Sequence, residues 1–229
     1  MTTERNLLMS VLKLTKTGPI QVKLVSRDAH IPTQVADEVL RKFSDARLIK
    51  YVDELIEASP NQRARMAIHA VKLGTDLERV CNVLEWKEFE NITATAFEAN
   101  DYVVKRRFRF KWACRRWEID VLGCKEPLVA CVDCKQWHRN WRRSAIIKTV
   151  ELQVERTHAL AEALVSLREK IGLVNWKQAT LVPIVLSLVP SPFKFYSDVP
   201  IVPVLQLPDF LNELLAHINS LKHFSLKLV

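Results

Sequence analysis

Apolar positions recur at helical spacing through the first part of the chain and at strand spacing through its middle, and this change of period organises the whole sequence. Leu7, Leu8, Val11, Leu12 and Leu14 trace one helix face that stops at Thr17-Gly18-Pro19. A second short helix is predicted over 21–29. A third follows Ile31-Pro32-Thr33, with Val35, Val39, Leu40 and Phe43 as its inner face. From 49 to 58 the pattern changes to a strand pair, with Ile49, Tyr51 and Val52 as strand residues. Residues 60–84 return to helix, with Met66, Ile68, Ala70, Val71 and Leu73 before a Gly74-Thr75-Asp76 break and Leu77, Val80 and Val83 after it.

The remainder reads differently. A helix over 85–100 precedes three strands, near 102–110, 117–123 and 128–136, and then a long helix over 144–171. Two further apolar strands, near 180–189 and 199–205, lead into a last helix over 208–223. Pro200 and Pro203 lie in the second of these, which therefore reads as an edge or late strand. Three short helices and a hairpin make the winged-helix order. The elements after residue 85 predict an α/β domain, a mixed sheet flanked by helices. The expected organisation is a winged-helix DNA-binding domain over 1–59, a helical connector over 60–84 and the α/β domain over 85–229.

Composition narrows the function classes. The chain has 229 residues, 48% of them hydrophobic, enough for packed cores, and a net charge of +8, which favours a polyanionic partner. No run reaches the roughly 18–20 apolar residues that span a bilayer, and the first ten residues lack the apolar core of a secretory signal. A cytoplasmic protein without a membrane partner is expected. Four of the five cysteines fall between Cys114 and Cys134. Cys131 and Cys134 form C-x-x-C, which Cys114, Cys124 or His138 would complete as a zinc site. Positions three apart on a strand face opposite ways, however, so buried thiols or an intracellular disulfide are the preferred reading.

Alternation along strands places Glu118 and Asp120 on one face, and Cys131, Asp133 and Lys135 on one face of the next strand. Charge inside strongly apolar strands is costly unless paired or bound to an ion. Mg²⁺ or Mn²⁺ on Asp120 and Asp133, with Lys135 orienting or deprotonating water, is one reading, and a buried salt bridge is the other.

The run Glu118-Ile119-Asp120-Val121-Leu122-Gly123, followed after nine residues by Asp133-Cys134-Lys135-Gln136-Trp137, resembles the PD-(D/E)xK, or restriction-endonuclease-like, nucleases. It is most similar to the Mrr-type enzymes and archaeal junction resolvases. Glu88-Phe89-Glu90, then Phe97, Asn100 and Tyr102-Val103-Val104, resemble that family's first helix and strand, and the likeness spans about 85–220. It departs from the pattern in having Ile119 where a proline often precedes the first acid. The resemblance implies a metal-dependent DNA endonuclease with Asp120, Asp133 and Lys135 at its centre, completed by a glutamate of the first helix. Among Glu85, Glu88 and Glu90, Glu90 is chosen because it edges the buried arc of Phe89, Ile92, Ala96 and Phe97. Many members act as dimers, so a homodimer is carried as an option.

Basic residues surround the proposed centre. Lys105, Arg106, Arg107, Arg109, Lys111, Arg115 and Arg116, interleaved with Phe108, Phe110, Trp112 and Trp117, form a phosphate-binding run, and His138, Arg139, Trp141, Arg142 and Arg143 flank the other side. Gln153, on a helix that also carries Lys148 and Arg156, is a candidate support residue, its alternative being a solvated face. The competing function is a DNA-binding regulator. In it Thr33, Gln34, Asp37, Arg41 and Lys42 enter the major groove, and the α/β domain is catalytically inactive.

Overall fold

The protein is described here by a computed structural model covering residues 2–135 and 142–228. The chain divides into two compact units, 1–92 and 93–229. The first contains α1 (Thr2–Leu14), β1 (Ile20–Gln21), α2 (Val22–Ala29), α3 (Thr33–Asp45), β2 (Lys50–Val52), β3 (Leu55–Glu57), α4 (Pro60–Lys72) and α5 (Leu77–Cys81). Its antiparallel sheet has the order β1-β3-β2, so three helices and a small sheet with a hairpin wing form a winged-helix arrangement. Local chemistry sets the breaks. His30 ends α2 in the left-handed region (φ 56), and Asp53 and Glu54 (φ 50 and 60) make the tight turn between β2 and β3. Ser59 and Gln62 form a capping box at α4, with a proline in its first turn.

Two expectations for this unit are corrected. On α3 the buried residues are Ala36, Leu40 and Phe43, whereas Val35 is 41% exposed. Leu40 and Phe43 fix the inward stripe, and Val35 falls outside it. The stretch 60–84 is no free-standing connector either, because α4 packs on α1 within the first unit. The Arg63 guanidinium, 3% exposed, donates to the Leu12 carbonyl (2.6 Å), the Thr15 hydroxyl (2.8 Å), the Val83 carbonyl (3.0 Å) and Glu88 (2.8 Å).

The division between units falls inside α6 (Trp86–Ala99). The second unit continues with β4 (Val103–Trp112), β5 (Arg115–Lys125), β6 (Leu128–Lys135), α7 (Arg143–Ile171), β7 (Gln178–Ser187), β8 (Phe195–Tyr196), β9 (Val199–Pro203), α8 (Leu207–Glu213) and β10 (Phe224–Lys227). The sheet order is β4-β5-β6-β7-β9-β8, with β10 also pairing β7. β4, β5 and β6 are mutually antiparallel, whereas β6, β7 and β9 run parallel. The fold is therefore mixed α/β, with helices at the N-terminus and a mixed multi-strand sheet. The strand at Val199–Pro203 is not the edge: β8 covers its outer side. The predicted last helix ends early, at Glu213, and the chain closes with β10.

The 29-residue α7 supports the site. Its Ala159, Leu160, Ala163 and Leu164 pack with Phe108, Ile119, Leu122, Val129, Cys131 and Leu181 from four strands in one buried cluster. Gly172, in the left-handed region, ends the helix. At Gly123 a Cβ would lie 2.5 Å from two ring carbons of the fully buried Phe97. Gly123→Ala is accordingly expected to destabilise the protein by about 1–3 kcal/mol in urea unfolding, as overpacking does. An unchanged midpoint would mean that the ring has room to move.

Candidate active site

Two interrupted ladders place Asp120. Between β4 and β5 the pairing links Arg106 to Val121 and Phe108 to Ile119 but passes over Arg107 and Asp120, and Arg107 adopts φ 50. Between β5 and β6 the pairing runs from Lys125 and Leu128 to Val121 and Val132 and ends there. Beyond that point the backbone N–H of Cys134 donates to Asp120 Oδ2 at 2.8 Å, so a carboxylate stands where a strand carbonyl would otherwise accept. Glu118, expected beside Asp120, is instead directed to Arg109 at 2.7 Å on the exposed part of the hairpin.

Asp133 comes from the middle of the most buried strand and is 2% exposed. Lys135 Nζ lies 3.1 Å from Oδ1 and 2.9 Å from Oδ2, and Arg156 of α7 reaches Oδ1 through its own guanidinium. The contact of Lys135 with Oδ2 lacks hydrogen-bond alignment. Oδ2 is therefore a buried oxygen without a hydrogen-bond partner among the described residues. Gln153 is fully buried, and its amide donates to the Cys131 carbonyl at 2.6 Å, two residues before Asp133. Its Oε1 is likewise buried with no hydrogen-bond partner among the described residues. Leaving the Gln153 oxygen unpaired costs about 1–3 kcal/mol, which a ligand or water would recover, whereas Asp133 Oδ2 keeps the Lys135 ammonium at 2.9 Å.

The electrostatics follow from this packing. Burial pushes the Asp120 carboxyl above its ordinary range and neighbouring Asp133 adds to the rise, while the Cys134 N–H, Lys135 and Arg156 oppose it. For a carboxyl raised on folding, the protonated form is the one folding favours. Stability is therefore fully expressed below the unfolded value near 3.8 and declines as pH rises through the folded value. Asp120→Asn, which keeps an acceptor for Cys134, is expected to raise the melting temperature of the metal-free protein at neutral pH. That gain should shrink on acidification; a gain that grew at low pH would contradict the assigned cause.

The structure thus brings Asp120, Asp133 and Lys135 together, and it ties Gln153 to the carbonyl of Cys131, on the strand that carries Asp133. It adds Arg156, which the sequence placed on the same helix as Gln153 without assigning it a role. Glu90 is half-buried on the first-unit side of α6 and enters the site only through the family resemblance. Glu88 is committed elsewhere, since it is 2% exposed, pairs with Arg63 and accepts the Glu85 N–H at 2.6 Å. Gln136, Trp137, His138, Arg139 and Trp141 lie outside the described residues.

Among the described residues no group of three or more His, Cys, Asp and Glu side chains gathers as a metal site; His138, named as a partner for Cys131 and Cys134, lies outside them. All five cysteines are free thiols, with only Cys114 exposed; burial pushes Cys81 and Cys124 up to about 12 and Cys131 upward too.

The basic run lies on the β4–β5 hairpin. Arg106, Arg107, Arg109, Lys111, Arg115 and Arg116 are exposed and Lys105 is half-buried. Arg115 stacks over Trp117 at 3.9 Å and approaches Glu155 of α7. In the first unit Arg41 is held by Asp37 at 2.8 Å, which also accepts from Tyr51, while Lys42 is exposed. Nearly all of the net positive charge lies after residue 92. Among the described residues no helix is long and apolar enough to cross a membrane.

No family model matches the chain. A crystal structure of protein VC1899 from Vibrio cholerae aligns over 96% of this chain at 12% identity and a TM-score of 0.37, too low to carry an argument; the chain spans 51% of that one. Over 132 residues, 57% of its length, the chain is 31% identical to an uncharacterized protein of Archaeoglobus fulgidus, of which the alignment covers 92%. With that identity over nearly the whole of the relative, this chain belongs to the same family as the uncharacterized Archaeoglobus fulgidus protein.

Proposed function

We propose that the second unit hydrolyses DNA phosphodiester bonds with Mg²⁺ or Mn²⁺. The observation that carries this reading is the meeting of Asp120, Asp133 and Lys135 where the β4–β5 and β5–β6 ladders are interrupted. The donor set fits a hard divalent ion. Two carboxylates from adjacent strands contribute, and the buried Asp133 Oδ2 has no hydrogen-bond partner among the described residues. When bound, such an ion supplies Lewis-acid polarisation of the phosphate and lowers the pKa of a water.

The chain's own groups do the rest. Asp120 and Asp133 hold the ion, and the Cys134 N–H fixes which Asp120 oxygen is free. Lys135, 35% exposed, is open to solvent on one side and positions the attacking water from there. Gln153 anchors α7 to β6 through the Cys131 carbonyl. Glu90 is retained as the helix glutamate on the family resemblance alone. The exposed arginines of the β4–β5 hairpin supply backbone contacts to the nucleic acid.

The test is cleavage of labelled linear, single-stranded, flapped and four-way-junction DNA with Mg²⁺ or Mn²⁺, comparing wild type, Asp133→Asn and chelator. Metal-dependent cutting lost in the variant supports the reading, and the preferred substrate names the class of DNA. Binding without cutting under every metal condition transfers the function to the winged helix as a regulator. Arg116→Ala should weaken binding of unrelated sequences about equally and reduce the log–log salt slope by about 1. An unchanged slope would remove the hairpin from the interface.

A further inference from the structure

We propose that Arg156 is the counter-ion that keeps Asp133 from taking a divalent ion until a phosphodiester arrives, so that metal and nucleic acid bind cooperatively. This rests on the nuclease reading above.

The Asp133 carboxyl is 2% exposed, and the Lys135 ammonium and the Arg156 guanidinium both lie against it. Lys135 has its place in the proposed reaction and lies 2.9 Å from Oδ2, whereas Arg156 comes from a different element, α7, and takes Oδ1. With Asp120 counted, two acidic groups face one lysine and one arginine, so the centre holds as many basic side chains as acidic ones with no ion bound. A divalent ion entering alone meets the guanidinium as an uncompensated like charge. A phosphodiester changes this, because its non-bridging oxygens accept a guanidinium fork as well as a carboxylate does. Arg156 is suited to the exchange: its side chain is 20% exposed against 2% for Asp133, so it has a route to solvent without unpacking β6. Its helix position is held independently, since Gln153, one turn earlier, is fixed to Cys131, and Thr157 is hydrogen-bonded within the helix.

The experiment is calorimetric titration of the full chain with Mn²⁺, alone and with a non-cleavable phosphorothioate oligonucleotide, for wild type, Arg156→Gln and Arg156→Lys. Wild type is expected to bind Mn²⁺ more tightly with the oligonucleotide present. Arg156→Gln should bind Mn²⁺ alone about tenfold more tightly and lose most of the dependence on oligonucleotide. Arg156→Lys, which keeps the charge, should restore weak binding of the ion alone. A purely structural arginine would leave the affinity unchanged or lower in Arg156→Gln, and that result overturns the inference while leaving the nuclease reading intact. If wild type takes up no Mn²⁺ in either titration, or if Asp133→Asn takes it up as well as wild type does, both fall together. Thermal melts of all four proteins establish that the comparison is made on folded chains.

Discussion

Lys135→Ala is expected to reduce single-turnover cleavage by at least about 10²–10³-fold while leaving the protein folded and able to bind DNA and metal. The ammonium is 35% exposed, against 20% for the Arg156 side chain, and lies within 3.1 Å of an Asp133 oxygen. On the proposed reading, removing it takes away the donor that places the attacking water. The fold should tolerate the change, because Arg156 still neutralises Asp133 and no buried charge is left without a partner. The measurement is the cleavage rate at saturating Mg²⁺ alongside an unfolding curve. A variant that cuts at the wild-type rate removes Lys135 from the reaction, whereas one that cuts poorly because it no longer melts cooperatively says nothing of catalysis. Arg156→Gln in the same assay separates the two cations of the pair, since the proposal assigns that arginine to binding order.

The second large effect is structural. Arg63→Ala is expected to destabilise the first unit by about 3–5 kcal/mol, because Glu88, 2% exposed, would keep its charge without its partner. Three further acceptors lose their donor: the Leu12 and Val83 carbonyls and the Thr15 hydroxyl. Against a typical total of about 5–15 kcal/mol, such a loss leaves this unit barely folded. Urea unfolding checks it, and a change below about 1 kcal/mol would mean that water reaches the pair. Replacing both partners, as in Arg63→Met with Glu88→Leu, should recover much of the loss, since two apolar groups of similar bulk leave no buried charge behind.

Both positions show what local pattern reading catches and where it stops. Arg63 occupies the stripe that also carries Met66, Ala67 and Ala70 at helical spacing, and all of these are buried. A charge inside an apolar stripe was a legible sign of a buried partner, but the partner, Glu88, lies in another helix. The same holds on α7. Ile146, Val150, Gln153, Thr157, Leu160 and Leu164 recur at core spacing and are buried, so Gln153 stood on the inward face by its position alone. Arg156 lies beside that stripe, and only the height at which α7 crosses β6 brings its guanidinium to Asp133. Val35 fails in the opposite direction, since its apolar side chain predicts burial and the docking of α3 on Ala36, Leu40 and Phe43 leaves it at the surface.

Period and punctuation were enough to determine three short helices ahead of a strand pair, the mixed α/β character and the side-by-side placement of Asp133 and Lys135, because helical and strand periods bind neighbouring residues to a common face whatever the chain does elsewhere. Tertiary structure alone decided which strands are neighbours, that the ladders break at Asp120, that Glu118 turns away to Arg109 and that Glu88 is spent on Arg63. It also set the closing strand β10 in place of a longer last helix, and it folded α4 onto α1 where a connector was expected. These outcomes depend on contacts between residues far apart in the chain. Such contacts are selected by the burial and charge pairing of the whole domain, and no local period records them.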